Sequence, residues 1–195
     1  CFEELASQRR FNYNFITEFT SLKMDFDADK IDKVLVNILS NAFKNTLDQG
    51  SITLKIKRNI KTEIEDSWFN YSIGKELHSD FVEISISDSG FGISSENLPK
   101  LFERFYQIKD NNQNSVNGTG IGLSLTTNYI NIHNGQLIVR SLKGVGTTFY
   151  IYLPIHQPNT FNEYPSTMLG LKSFDCDSET NNYNAPEVKN DKIID

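Results

Sequence analysis

The sequence predicts an α/β domain followed by a polar tail. Segments with an apolar residue at every second position alternate with segments whose apolar residues recur at three- and one-residue steps, the periods of strand and helix. Hydrophobic residues make up 38% of the 195-residue chain, enough for a proper core in one domain. From His156 onward Ser, Thr, Asn, Asp and Pro dominate and the periodicity disappears, so 156–195 reads as a linker or tail.

In chain order, FNYNFITEF alternates aromatic and polar residues and is expected to be a strand. DADKIDKVLVNILSNAFKNT reads as a helix, with Ile31, Val34, Leu35, Ile38, Leu39, Ala42 and Phe43 on one stripe and Asp29 placed to cap its start. SITLKIKR is a strand through Ile52, Leu54 and Ile56. Residues 58–80 read as a long excursion with Trp68, Phe69 and Tyr71 at a hairpin tip. DFVEISISDSG is a strand with Val82, Ile84 and Ile86 on one face. ENLPKLFERFY reads as a short helix or turn, and IKDNNQNSVN as a polar loop whose basic residue is Lys109. A helix follows over 121–133, then GQLIVRS and GTTFYIYLP form a hairpin around Lys143 and Gly144. No internal repeat is visible.

The formal net charge of −6 argues against DNA or an acidic membrane surface as the main partner. No apolar run reaches the roughly 18 residues of a membrane span, and no signal peptide is visible. The chain starts at Cys1 rather than Met and is read as cut from something longer. Its two cysteines, Cys1 and Cys176, fit neither a disulfide framework nor a zinc site, so a reducing cytoplasm is the simplest reading. His78, His133 and His156 lack metal-ligand spacing.

Three places invite chemistry. On the first long helix, Asn37, Asn41 and Lys44 share a flank. They form either a solvated face or a site where amide oxygens hold a hydrated cation while Lys44 approaches phosphates. Asp88 keeps the parity of Val82, Ile84 and Ile86, so its carboxylate points to the buried face, where an unpartnered charge is costly. It either accepts from an adenine amino group at a pocket floor or closes a local turn. Finally, GTGIGLSL, from Gly118 through Thr119, Gly120, Ile121, Gly122 and Leu123, opens a helix. Glycines admit close backbone approach, and a helix start offers unpaired N–H groups to an anion. It is neither a P-loop nor a dinucleotide fingerprint, because a polar loop rather than a strand precedes it.

Taken together, NILSNAFKNT, DSGFGI, LFERFYQ, GTGIGLSL and GVGTTF resemble in order the N-box, glycine boxes and F-box of the catalytic, ATP-binding domain of two-component sensor histidine kinases, within the GHKL ATPase group. The resemblance implies a two-layer α/β sandwich with a mixed, mostly antiparallel sheet of about five strands and helices on one face. It implies Asn37 as Mg²⁺ ligand, Asn41 and Lys44 at the phosphates, and Asp88 on the adenine amine. Gly90, Gly92 and Ile93 would pass under the base. Phe102, Phe105 and Tyr106 would anchor an ATP lid at 107–117. Gly118, Thr119, Gly120, Ile121 and Gly122 would form its hinge and phosphate-facing backbone, with Leu123 packed beneath, and Gly146 and Thr148 would line the far wall. Two positions depart from relatives. Gln107 stands where many members have Arg, and Lys33 stands where hydrolysing relatives have a Glu base, which favours phosphoryl transfer over hydrolysis. None of the three histidines sits in an acceptor context. The resemblance therefore implies an upstream histidine-bearing dimerisation domain, with 1–10 as the end of its linker and 11–155 as the catalytic domain. It further implies a possible receiver domain beyond 156–195, within the cytoplasmic portion of a membrane-anchored sensor.

Overall fold

The computed structural model describes residues 2–61, 68–78, 80–108 and 119–156, and the backbone of 167–170. In chain order its elements are α1 (Phe2–Gln8), β1 (Asn12–Thr17), β2 (Ser21–Met24), α2 (Ala28–Asn45), β3 (Ser51–Arg58), β4 (Phe69–Gly74), β5 (Phe81–Asp88), a 3-10 turn (Pro99–Phe102), α3 (Gly122–Ile132), β6 (Gln136–Leu142), β7 (Gly146–Pro154) and β8 (Thr167–Gly170). The main sheet runs β1-β3-β5-β7-β6-β4. β1 pairs parallel with β3, as a connection long enough to contain α2 permits, and the other pairs are antiparallel. The expected two-layer sandwich is therefore found, with six strands in the main sheet rather than about five.

The extra strand is β4. The aromatic stretch read as a hairpin tip instead forms the sheet edge beside β6, and Tyr71 turns inward to stack on Phe102 at 5.7 Å between ring centroids. Its Asn, Ser and Gly residues mask the alternation, which an edge strand facing solvent does not need to keep. A second departure lies in the stretch read as a tail, where β8 pairs antiparallel with β2.

α2 buries the seven apolar residues its periodicity marks, with Val34 and Ile38 at 0% exposure. They pack on Ile52, Leu54, Ile84 and Ile86 of the sheet. At roughly 1.5–3 kcal/mol for each large side chain buried, this stripe is what holds the helix to the sheet. Its cap is Asp27, not Asp29: the Asp27 carboxylate accepts from the Lys30 amide at 3.1 Å and pairs with the Lys30 ammonium. Asp29 lies one residue inside the helix, where its charge can favour the dipole but its side chain cannot reach back. His133, fully buried after α3, accepts the Asp27 N–H on Nε2 at 3.0 Å and places Nδ1 2.7 Å from the Tyr129 carbonyl. Burial holds its pKa below the usual value. It thus ties the end of α3 to the start of α2, the structural role its position suggests.

Candidate functional site

The site is built along the flank of α2. At its C-terminal end, β5 delivers Asp88 to the helix-facing side of the sheet. Burial pushes the Asp88 carboxyl up to about 6, opposed by hydrogen bonds from the Gly90 and Thr147 amides. The Gly90 N–H lies 2.9 Å from Oδ1. A half-buried carboxylate held by backbone amides keeps its outward lone pairs for a neutral donor such as an exocyclic amine.

The loop after Asp88 is packed backbone on backbone. Gly92 has φ +61°, and a Cβ there would stand 1.9 Å from the Leu142 carbonyl oxygen, so only glycine fits. The Ile93 amide donates to Ser141 Oγ at 2.8 Å, and that hydroxyl donates to the Gly146 carbonyl and touches Thr147 Oγ1 at 2.9 Å. The Gly144 amide reaches the Phe91 carbonyl at 2.7 Å. The β6–β7 turn therefore braces the Asp88 loop.

Thr148 does not belong to this wall. It lies opposite Ser87 in the β5–β7 register and donates to the Ser87 hydroxyl at 3.0 Å, on the outer face of the sheet. Thr147, directly opposite Asp88, is the residue on the site face. Applying the parity of Asp88 across the strand pair would have found it.

Asn37 sits at the other end. Its Nδ2 donates to Thr126 Oγ1 at 2.9 Å, which leaves Oδ1 presented at the first turn of α3. A Cβ on Gly122 would stand 2.1 Å from that oxygen, so the third glycine of the run lets α3 start against α2. Asn41 is half-buried and Lys44 exposed farther along the same flank. Leu123 packs against the core as expected, and Ile121 is 41% exposed. Thr126 was not anticipated; it lies four residues beyond Gly122, on the helix face turned to α2. Lys33, one turn before Asn37, is exposed.

The lid anchors differ in kind from the expectation. Tyr106 donates its hydroxyl to Asn97 Oδ1 at 2.8 Å, and Phe102 is held by Tyr71. The Phe105 ring, however, is 71% exposed among the described residues. What holds that residue is its backbone: with φ +66°, it donates its amide to the Gly120 carbonyl at 2.8 Å. Thr119 and Gly120 are described at the other end of this clasp, whereas Gly118 and Lys109 lie outside the described residues. Among the described residues no group of three or more His, Cys, Asp or Glu could hold a metal ion, and no helix is long and apolar enough to cross a membrane.

A family model described as histidine kinase-, DNA gyrase B-, and HSP90-like ATPase matches residues 26–157. Histidine kinase P4 of Formosa agariphila is 33% identical over 157 residues, covering 79% of this chain and 10% of that protein. Sensor histidine kinase WalK of Bacillus subtilis is 32% identical over 133 residues, covering 68% of this chain and 19% of that protein. A solved catalytic domain of histidine kinase ThkA is similar with a TM-score of 0.59 at 25% identity, covering 80% of this chain and 88% of that one. The chain thus spans a tenth to a fifth of the length of these curated relatives.

Proposed function

The chain belongs to the histidine kinase-, DNA gyrase B- and HSP90-like ATPase family, as an ATP-binding catalytic domain of the sensor histidine kinase type, and from that premise we propose that it passes the γ-phosphate of Mg-ATP to a histidine on a separate domain of the same parent protein. One observation carries the reading: a single helix, α2, has an amide oxygen at the glycine-rich start of α3 and, about 12 Å farther along its axis, touches the loop of a half-buried carboxylate. That span suits an extended nucleotide with adenine on Asp88 and phosphates at α3.

In this reading Asp88 orients the base through its amino group. Asn41 and Lys44 contact the phosphates, and the backbone amides at the start of α3 face them. Asn37 Oδ1 would hold Mg²⁺, which neutralises phosphate charge and takes the rest of its shell from phosphates and water. These residues act by placement and by fixed charge, which is the larger part of phosphoryl-transfer catalysis. Lys33 stands where a carboxylate base for water would have to sit, so transfer is favoured over hydrolysis. The acceptor would lie on an upstream dimerisation domain. A receiver domain downstream, and a membrane-anchored parent with this part in the cytoplasm, complete the proposal.

The test is transfer from γ-labelled ATP, with Mg²⁺, to the parent's histidine-bearing domain. Acid-labile label on that domain, absent with Asp88→Asn, is the expected result. Release of free phosphate without label would favour a hydrolase. ATP binding with neither would favour a regulatory module, the reading that the neutral Gln107 keeps in play.

A further inference from the structure

The last turn of α2 is gripped from two sides. From outside, Arg9, at the hinge between α1 and β1, donates Nη1 to the Phe43 carbonyl at 2.6 Å and Nη2 to the Thr46 carbonyl at 2.9 Å. Its Nε reaches Asp48 at 2.8 Å. From the site, the Phe91 amide in the loop leaving Asp88 donates to the Asn45 carbonyl at 3.3 Å, and a Cβ on Gly90 would stand 2.4 Å from the same oxygen. The final carbonyls of a helix have no donors within it. Here the donors come from the segment that precedes the domain and from the adenine-side loop. The Phe43 ring is packed by Phe2 at 5.1 Å, so α1 holds the side chain as well as the backbone of this turn.

We propose that Arg9 is a positioning residue for nucleotide binding, through which the Phe2–Gln8 helix sets the pose of the α2 turn bearing Lys44 and of the Gly90–Gly92 loop. This rests on the reading of α2 and Asp88 as the nucleotide site. Arginine suits the task because its planar fork serves several acceptors at once, whereas a lysine ammonium offers one nitrogen at the end of a flexible stem. A helix that docks well keeps both carbonyls satisfied. A helix that pulls away takes the fork with it, and the turn is then held from the site side alone.

Three variants of the 195-residue chain test this. Arg9→Met keeps the apolar stem, Arg9→Lys keeps the charge, and Asp48→Asn removes only the exposed ion partner. The readouts, taken below each melting temperature, are calorimetric affinity for Mg-AMPPNP and hydrogen exchange of the Phe91 amide by NMR. Both Arg9 variants are expected to bind roughly tenfold more weakly, about what one misplaced charge-assisted hydrogen bond implies. Their Phe91 amide should exchange faster, and Asp48→Asn should match the wild type. Wild-type affinity and unchanged Phe91 protection in Arg9→Met, or in Arg9→Lys if the Met variant does not fold, would overturn the inference and leave Arg9 a stability residue. No binding by the wild-type chain would instead overturn the site reading.

Discussion

β5 carries two carboxylates, Glu83 and Asp88, on opposite faces because they stand an odd number of positions apart along the strand. Glu83, on the outer face, is fully buried and stands directly across from Tyr152. The two side chains hydrogen-bond, and the Tyr152 hydroxyl is held well above its usual pKa by burial and by the Glu83 charge. Lys61 lies over the Tyr152 ring at 5.8 Å. That carboxylate has been consumed by the fold. Asp88, on the helix side and half-buried, accepts among the described residues from the backbone amides of Gly90 in the following loop and Thr147 on β7, and burial raises its pKa to about 6. An acid paired with a side chain is structural; one cradled by amides is poised for something that arrives from outside.

The comparison can be broken in four ways. The largest effect is expected at Gly92→Ala, where the new methyl would strike the Leu142 carbonyl in a left-handed backbone; about 4 kcal/mol should be lost in denaturant unfolding. Next, Asp88→Asn should weaken ATP roughly a hundredfold by calorimetry while stabilising the nucleotide-free chain by up to about 3 kcal/mol above pH 6. The sign follows from the raised pKa: between 3.8 and about 6 the folded chain holds the extra proton, so the wild type gains stability as pH falls through that window. Asp88→Asn should lack that gain in unfolding curves taken across the window. Tyr152→Phe, on the other face, should cost about 2 kcal/mol by removing the hydroxyl that hydrogen-bonds the buried Glu83, with nucleotide affinity unchanged. Loss of affinity there would show that the two faces are not independent. Smallest of all, Thr148→Val should move affinity less than twofold, about 0.4 kcal/mol, and Thr147→Val should move it more.

Legibility of the molecule in its sequence followed physical period. The α2 stripe, the strand through Ile84 and the glycine-opened α3 were all readable because burial on one face imposes a repeat. β4 was not readable, since an edge strand with Ser72 and Gly74 in it carries little pattern. The cap was misplaced by two residues because Asp27 and Asp29 are chemically equivalent in sequence and differ only in backbone angle; Asp27 has the extended ψ of 106° that a cap needs. Asp88 and Asn37 were legible as residue types in a motif. Their partners Thr147 and Thr126, and Ser141 which braces the Asp88 loop, were not, because each arrives from a separate element and is fixed only by strand register or helix crossing.

The clasp between the Phe105 amide and the Gly120 carbonyl fixes two residues far apart in sequence to one point. Tyr106, next to one of them, is tied to Asn97, and Gly120 stands two residues before the glycine that meets Asn37. A displacement on the side of the 3-10 turn is therefore passed directly to the start of α3, so these two pieces of the frame behave as one mechanical unit.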